Sequence, residues 1–397
     1  SRRAREVPNV SVTEKPALEP KPKIDKGLDD IYVKESSICL VDGQEGRLLY
    51  RGWDIRDLAE HSSFEETIYI LIHGRLPTKA NLAETRRTFG EARSIGPEIV
   101  KLLRCMPEDA PPIDVLRTAV SFLSNFDKER DDPTRAANMR KAQRLIGKLP
   151  ALVAAHHRIR EGRRPIPPDP NLGIAEDLLR MLTGKKPDRL SAKVMDVALI
   201  LHADHSMNAS AFAATVAAST LADLYSTIVA AIATLKGPLH GGANEAALKT
   251  MLTIGKPENA ESYVLNTLHN HGKIFGFGHR VYKTWDPRAL ILREYAKQLS
   301  ELRGQEELFR VAEIMQDTVV RELSSKHIYP NVDFYSGLTY YLLGIPLDLF
   351  TPIFAVSRVA GWTAHVIEYW EDNRLVRPLD YYVGPTHNVY VPLEQRT

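Results

Sequence analysis

Two histidines and an aspartate stand close together in residues 201–210, Leu-His-Ala-Asp-His-Ser-Met-Asn-Ala-Ser, at the end of an apolar helical run. Their side chains could hydrogen-bond a polar ligand such as a keto acid. A metal site is a second interpretation, although His202 and His205 have no nearby cysteine or glutamate to complete a zinc-type ligand set. A purely structural cluster is the third interpretation, and this segment alone leaves all three open.

A single histidine lies among glycines in residues 237–245, Gly-Pro-Leu-His-Gly-Gly-Ala-Asn-Glu. Paired glycines let the backbone and a ligand approach closely. The apolar run 246–254 predicts a helix that begins just after His240, and its positive end disfavours imidazolium near pH 7. A neutral imidazole that donates a hydrogen bond can stabilise a developing enolate. The alternative is a glycine-rich turn with an incidental histidine.

Glycines alternate with phenylalanines in residues 274–283, Ile-Phe-Gly-Phe-Gly-His-Arg-Val-Tyr-Lys. The free N–H groups of such a backbone could hold a phosphate or an adenine. No strand-then-helix pattern surrounds the glycines, which disfavours a Rossmann site. Arg280, Lys283 and Arg288 supply positive charge for carboxylates or phosphates, unless they form a solvated basic helix end.

A carboxylate stands between apolar neighbours in residues 329–337, Tyr-Pro-Asn-Val-Asp-Phe-Tyr-Ser-Gly. Partial desolvation would raise the pKa of Asp333 and make it a better base. The ordinary alternative is that Asp333 is the N-cap of a helix. Further along, Arg358 and the stretch 374–377 add guanidinium groups that could bind carboxylates.

The elements around these segments are mostly helical by their hydrophobic period. Residues 67–73 and 288–302 also read as helix, and we expect a helix content well above the usual third. Residues 38–43 lean towards β structure and predict a short hairpin. Two sets of apolar residues recur at helical spacing: Leu190, Val194, Val197 and Leu201, and Ile113, Leu116, Val120, Leu123 and Phe126.

Breaks in the pattern predict a surface loop at 163–170 and joints at 236–238 and 344–346. No strand–helix alternation supports a parallel sheet. The run 209–235 is apolar but contains polar side chains such as Ser210, Thr215 and Asp223, so it reads as buried helices and not as a membrane span.

The bulk composition excludes several classes of protein. The chain has 397 residues and a net charge of only +2, so no dedicated nucleic-acid or membrane surface is implied. Cys39 and Cys105 are too few for a disulfide framework and predict two reduced, buried thiols, with a single bridge possible in a hyperthermophile. Residues 1–26 lack an apolar core and predict a flexible arm, and we expect a cytoplasmic protein.

The four segments, in this order and at these separations, resemble citrate synthases from about Gly52 to Pro378. The short N-terminal sequence and compact loops are most similar to the archaeal and Gram-positive forms. The resemblance implies an all-α, two-domain homodimer with the active site in the cleft. It implies an arm of residues 1–26, a large domain of 27–229 and 337–397 that includes a C-terminal arm, and a small domain of 230–336.

The resemblance also implies roles for individual residues. His240 would polarise the acetyl thioester carbonyl, His279 would act as an acid on the oxaloacetate ketone, and Asp333 would be the base. The oxaloacetate ligands would be His205, Arg288 and Arg358, with Arg377 reaching into the partner subunit's site. The CoA-binding residues would be Ile274, Phe275, Gly276, Phe277, Gly278 and Lys283. Many relatives have an acidic residue and leucine where this chain has Ser206 and Met207.

The implied reaction condenses acetyl-CoA with oxaloacetate and hydrolyses citryl-CoA to citrate and CoA. It needs no cofactor, because acetyl-CoA is a substrate. It also requires no metal. The nearest alternative is a 2-methylcitrate synthase that uses propionyl-CoA, since one extra methylene is worth only about 1–3 kcal/mol of discrimination. Alternatives from other classes are a non-catalytic helical CoA-binding scaffold and a histidine-cluster metalloprotein.

Overall fold

The computed structural model describes residues 22–396, which form two compact units. Residues 36–375 make one unit, and the described residues near the two ends of the chain, 22–35 and 376–396, make the other. The described residues are 61% helix and 3% strand, which confirms the all-α prediction. Most of the predicted N-terminal arm, residues 1–21, lies outside the described residues.

A small antiparallel sheet opens the larger unit. Its strands are β1 (Cys39–Asp42), β2 (Arg47–Tyr50) and β3 (Trp53–Asp54), in the order β1-β2-β3. The side chain of Asp42 accepts hydrogen bonds from the N–H groups of Gln44 and Glu45, which closes the turn between β1 and β2. The predicted hairpin is therefore confirmed, with a short third strand added.

The first eight helices follow the sheet along the chain. Asp, Ser and Thr side chains cap several of their N-termini, as at Ser63, Thr134 and Asp188. The helices are α1 (Ile55–His61), α2 (Phe64–His73), α3 (Lys79–Ala92), α4 (Pro97–Arg104), α5 (Pro112–Leu123), α6 (Arg135–Arg160), α7 (Ile174–Thr183) and α8 (Arg189–His202).

The second eight helices carry most of the segments singled out above. They are α9 (Ala209–Ser219), α10 (Leu224–Leu235), α11 (Ala243–Ile254), α12 (Pro257–His269), α13 (Pro287–Arg303), α14 (Glu306–Leu323), α15 (Val332–Leu342) and α16 (Phe350–Glu371). Short 3₁₀ turns lie at Ser124–Phe126, Ser324–Lys326, Leu347–Leu349 and Leu393–Gln395.

Helix α16 lies in the core. It is buried over nearly its whole length and packs against α2, α6, α8, α9 and α10. A helix that is apolar on all sides belongs in the interior, yet α16 also buries Arg358 and His365 there. Buried charged groups need partners, so α16 is the first place to look for a functional site.

Helices α11 to α15 make extensive contacts with one another, most of all α13 with α15, α11 with α15, and α12 with α14. This group begins within the stretch 230–336 assigned to a small domain, but α15 continues beyond it to Leu342. The boundaries of that domain at residues 230 and 336 remain a prediction.

Two expectations about individual residues are wrong. Cys105 is exposed and only Cys39 is partly buried, so the two thiols are not both interior. Phe126 lies beyond the end of α5 in a 3₁₀ turn and is 53% exposed, so it does not extend the apolar face of that helix. The loop at 163–170 and the joints at 236–238 and 344–346 are confirmed. Within residues 22–396, no helix has both the length and the apolar character needed to cross a membrane.

Candidate active site

Three rings meet where the turn after α8 faces the loop before α13. The ring centroids of His205 and His279 lie 5.1 Å apart, and Tyr282 lies 5.5 Å from the first and 4.7 Å from the second. The hydroxyl of Tyr282 is 3.2 Å from Nε2 of His205. The sequence clusters around 205 and 279 therefore converge in one place.

The protonation of His279 follows from its hydrogen bonds. Its Nδ1 accepts the N–H groups of Val281 and Tyr282, at 3.0 and 3.1 Å. A neutral ring with an accepting Nδ1 carries its proton on Nε2. Burial, then the charges of Arg288 and Lys283, lower the pKa of His279 to about 4, against a weaker opposing effect of Asp286. His279 is thus a neutral donor at Nε2 near pH 7.

Arg288 is held by an aspartate two residues before it. Asp286 caps α13 and accepts Nε and Nη2 of Arg288 at 3.0 and 2.8 Å. Both side chains are almost fully buried. The alternative of a solvated basic helix end is therefore wrong for Arg288, whereas Arg280 and Lys283 are exposed and lie in a loop.

Asp333 is the second residue of α15, and it is not the cap. Asn331 caps the helix, and its Oδ1 accepts the N–H of Asp333 at 3.0 Å. Burial raises the pKa of Asp333 to about 6, against the opposing effect of Arg288 and Arg358. The N-cap interpretation is wrong, and the sequence-based expectation of a raised pKa is confirmed.

The start of α15 is tied to the loop that carries His279. The N–H of Asn331 donates to the carbonyl of Gly276 at 2.9 Å, and its Nδ2 donates to the carbonyl of Gly278 at 2.8 Å. The N–H of Val332 donates to Asp286 Oδ2 at 3.1 Å. These bonds fix the loop, the start of α13 and the start of α15 against one another.

His240 lies in the turn between α10 and α11. Its Nε2 is 2.8 Å from Ser210 Oγ, which also accepts Nε1 of Trp362 at 3.0 Å and lies 2.8 Å from Asn208 Oδ1. Burial, then Arg358, lower the pKa of His240 to about 4. The predicted neutral imidazole is thus confirmed, and burial is its main cause.

Arg358 connects the histidines to the carboxylate. Its guanidinium stacks over Phe354, 4.6 Å from the ring centroid, and Phe354 lies 6.2 Å from the ring of His240. The charge of Arg358 acts on the pKa values of His205, His240 and Asp333 alike. This arginine is only 2% exposed and donates Nε to the carbonyl of His202 at 2.6 Å.

The glycine–phenylalanine loop is packed against α15. Gly276 has a φ of 85°, and a Cβ there would lie 2.8 Å from the backbone of Phe334. Gly278 also has a positive φ, but its Cβ would meet open space. Ile274 is buried, and Phe275 and Phe277 are partly buried. The strained backbone explains why glycine stands at these two positions.

The last two predicted residues are both exposed. Lys283 is exposed, with its N–H bonded to the carbonyl of Gly43 at 2.9 Å and its Nζ 3.3 Å from the carbonyl of Arg280. Arg377 belongs to the unit formed by the chain ends and is exposed. Among the described residues, no three His, Cys, Asp or Glu side chains are placed to hold a metal ion.

Sequence reasoning missed four residues that contact the site: Ser210, Tyr282, Asp286 and Phe354. Asp286 carries a recognisable signal, because Asp followed by Pro is a common start of a helix and would have placed the carboxylate beside Arg288. Phe354 stands four residues before Arg358 on one helix, a spacing that brings side chains together. No sequence signal ties Tyr282 to His205, because 77 residues separate them.

The similarity of this chain to known proteins identifies its family. The family model described as "Citrate synthase, C-terminal domain" matches residues 27–379. The chain belongs to the citrate synthase family. It is therefore an enzyme, an acyltransferase of the citrate (Si)-synthase type.

Citrate synthase 2 of Bacillus subtilis is 46% identical over 372 residues, which cover 94% of this chain and 99% of that protein. The crystal structure of citrate synthase from Pyrobaculum aerophilum matches with a TM-score of 0.91 at 42% identity, covering 99% and 100% of the two chains. A ternary complex of carboxymethyl coenzyme A and oxaloacetate with the Thermoplasma acidophilum citrate synthase matches with a TM-score of 0.90 at 36% identity, covering 95% and 100%. A protein named 2-methylcitrate synthase 2, from Corynebacterium glutamicum, is 41% identical over 94% of this chain and 97% of its own.

Proposed function

We propose that this citrate synthase family enzyme condenses acetyl-CoA with oxaloacetate and hydrolyses the resulting citryl-CoA to citrate and CoA. One observation carries the proposal. Asp333, a partly buried carboxyl with a raised pKa, lies in the electrostatic field of the buried arginines Arg288 and Arg358. Both arginines also act on His205, Arg358 acts on the neutral imidazole of His240, and Arg288 acts on that of His279.

Asp333 is the base that removes a methyl proton from acetyl-CoA. A carboxylate of ordinary pKa is a poor base for so weak a carbon acid. A pKa of about 6 strengthens the base and still leaves it mostly ionised near pH 7. Burial supplies this shift of the pKa, and the two arginines keep it from going further.

His240 stabilises the enolate that forms on the thioester oxygen. Its low pKa keeps the ring neutral near pH 7, so the group that donates the hydrogen bond is a neutral imidazole. Because Nε2 faces Ser210, the donor is Nδ1, which requires the hydroxyl proton of Ser210 to point to Nε2. The hydroxyl oxygen of Ser210 accepts from Trp362, and its single proton can point either to Asn208 or to His240. Ser210 can therefore donate to Nε2 of His240.

His279 polarises the ketone of oxaloacetate. Its proton is on Nε2, since the backbone occupies Nδ1 with two N–H donors. As the new carbon–carbon bond forms, the ketone oxygen gains negative charge and receives the proton that Nε2 holds. The fixed tautomer means that no reorganisation is needed at that moment.

Oxaloacetate carries two carboxylates. These carboxylates are bound by the cationic groups of Arg288 and Arg358, together with His205. Guanidinium groups recognise carboxylates through paired N–H donors. Arg377 completes the site of the partner subunit in a homodimer. Oxaloacetate is thereby oriented for attack before acetyl-CoA reacts.

CoA binds along the loop of residues 274–278, with the exposed ammonium group of Lys283 near its phosphates. The Thermoplasma relative was solved with both a CoA analogue and oxaloacetate, which supports two adjacent sites in this fold. The reaction uses no cofactor, and the enzyme binds neither nucleic acid nor a membrane. The enzyme is a helical, two-domain protein of the cytoplasm.

The test is release of free CoA thiol from purified protein given oxaloacetate and acetyl-CoA, then oxaloacetate and propionyl-CoA. We expect the higher kcat/KM with acetyl-CoA. A preference for propionyl-CoA would favour the 2-methylcitrate reaction, which a relative's name suggests. No thiol release with either substrate would refute the proposal.

A second experiment tests the base. Asp333→Asn should abolish exchange of the acetyl methyl protons with solvent, while oxaloacetate still binds. Normal exchange in this variant would show that another group removes the proton.

A further inference from the structure

A buried carboxylate directly precedes His205. Asp204 is 0% exposed, and its Oδ2 accepts the N–H of Ser206 at 3.1 Å. The same oxygen lies 3.1 Å from Nε2 of His365, which is 1% exposed in the middle of α16. Asp204 therefore joins the turn that carries His205 to a helix 161 residues away in the chain.

The turn needs such support because its backbone is unusual. Ser206 has a φ of 55°, a left-handed conformation that residues with a side chain rarely adopt. A carboxylate that accepts an N–H two residues ahead is a typical way to hold this kind of turn. The contact between Asp204 and Ser206 is that arrangement, and it sets the direction in which His205 points.

Helix α16 meets the turn at very close range. The N–H of Gly361 donates to the carbonyl of Ala203 at 3.0 Å. A Cβ on Gly361 would lie 2.3 Å from Asp204 Oδ1 and 2.4 Å from that carbonyl oxygen. Only glycine allows this approach, so a change at either surface displaces the other.

The hydroxyl of Tyr50 binds the other side of the same turn. It accepts the N–H of Asp204 at 3.2 Å and lies 3.0 Å from the carbonyl oxygen of that residue. Asp204 is thus held by its backbone from β2 and by its side chain from α16.

Charge also distinguishes this pair from ordinary core packing. Burial alone would raise the pKa of Asp204, yet His365, then Arg358 and the N–H of Ser206, hold it below its usual value. Asp204 is thus a buried anion, and its charge in turn favours the charged form of Arg358. A buried anion without such partners would be strongly unfavourable.

We propose that Asp204 and His365 form a positioning pair, which holds the turn of residues 203–208 and so presents His205 to oxaloacetate. This inference rests on the proposed role of His205 as an oxaloacetate ligand. Neither member of the pair is accessible to substrate, and both act through His205. The pair therefore governs affinity for oxaloacetate and leaves recognition of acetyl-CoA nearly unchanged.

The test compares two substitutions of one residue. His365→Leu removes the N–H donor, whereas His365→Gln keeps a donor of similar reach. We expect His365→Leu to raise the KM for oxaloacetate by about tenfold or more, since the loss of a hydrogen bond to a buried charge is worth a factor of that order. The KM for acetyl-CoA should stay within about twofold, and His365→Gln should recover most of the oxaloacetate affinity.

Asp204→Asn provides a second variant, in case His365→Leu fails to fold. Asn keeps an oxygen for the N–H of Ser206 and loses the negative charge. It too should raise the KM for oxaloacetate selectively. The matched control is Tyr225→Phe, which deletes the partly buried hydrogen bond from the Tyr225 hydroxyl to Asp127 Oδ2 and should lower the melting temperature without changing either KM.

Titration of oxaloacetate into each protein by calorimetry separates this inference from the proposed function. If the unaltered protein neither binds oxaloacetate nor releases thiol, the proposed function fails and the positioning role fails with it. If the unaltered protein does both, and folded His365→Leu and Asp204→Asn bind oxaloacetate as tightly as it does, only the positioning role is overturned. Equal rises in both KM values, or a His365→Gln as impaired as His365→Leu, would also overturn it.

Discussion

The two carboxylate oxygens of Asp286 accept hydrogen bonds from Nε and Nη2 of Arg288, at 3.0 and 2.8 Å. The same carboxylate accepts the N–H of Val332 at 3.1 Å. Val332 directly precedes Asp333. One buried anion therefore fixes the proposed oxaloacetate arginine and the proposed base relative to each other. The spacing between the two substrates depends on this carboxylate as much as on the residues that contact them.

Asp286→Asn tests that dependence. The amide still caps α13, because Asn and Asp are similar N-caps, but it cannot balance the charge of Arg288. Breaking a buried ion pair typically costs about 3–5 kcal/mol, so we expect kcat/KM for oxaloacetate to fall by about 100-fold or more. Steady-state kinetics with circular dichroism as a folding check would measure it.

The control for that variant is Asp223→Asn, which changes the N-cap of α10 at an exposed site. It should leave kcat/KM unchanged. If Asp286→Asn were equally silent, Asp286 would have no role in placing Arg288.

The rate should depend on pH through Asp333. A base works only when ionised, and the pKa of Asp333 in the free protein is raised to about 6, so kcat/KM should fall about tenfold per pH unit below that value. The pKa values of His240 and His279 are about 4, and both stay neutral across this range. A profile of kcat/KM from about pH 5 to pH 8.5 would show one acidic limb. A limb near the ordinary carboxyl value of about 4 would mean that Asp333 is not the group that titrates.

The loop of residues 274–278 offers a matched pair of glycines. Gly276→Ala combines a φ of 85° with a Cβ 2.8 Å from Phe334, whereas Gly278→Ala carries only the strain of its φ of 80°. We therefore expect Gly276→Ala to raise the KM for acetyl-CoA more strongly and to lower the melting temperature more. Equal effects of the two substitutions would show that contact with α15 does not shape this loop.

Asp196 gives a prediction about stability. Burial, then the nearby Glu65, raise its pKa to about 7, against the N–H of Phe64, Lys193 and Arg86. A carboxyl raised in the folded state is favourable while protonated, so its contribution is lost as the pH rises from about 4 to about 7. Asp196→Asn removes this loss, so between pH 4 and pH 8 the variant should gain about 3–4 kcal/mol of stability over the unaltered protein.

Urea unfolding of that variant and of the unaltered protein at the two pH values would measure the difference. Asp188→Asn is the control of opposite sign. Although partial burial opposes it, hydrogen bonds from Ser191 and Arg303 lower the pKa of Asp188, so its contribution is present at high pH and lost on acidification. Identical pH dependence of the two variants would contradict both assignments.

Local patterns predicted much of this molecule. The spacing of apolar residues located α8, and the Asp-Gly after a β-leaning run located the hairpin. The choice of cap was harder, because Asn331 and Asp333 are both good caps and only the backbone decides between them. The pairing of Asp204 with His365 was beyond reach, since it depends on a helix packed from far along the chain.

Burial was the other quantity that local patterns could not supply. Arg288 and Lys283 stand five residues apart in equally basic surroundings. Arg288 is almost fully buried and paired with Asp286, whereas Lys283 faces solvent. Cys105 sits next to an amphipathic helix and was expected inside, but it lies at the exposed end of α4. Such differences arise from tertiary packing and not from sequence spacing.

The buried helix α16 has a consequence for how the enzyme fails on heating. Trp362 on this helix holds Ser210 beside His240, while His365 and Gly361 on the same helix hold the turn before His205. A shift of α16 along its axis would displace the imidazoles of His205 and His240 at the same time. Heat inactivation should then erase the affinity for both reactants at the same temperature, with no intermediate stage that still captures one of them.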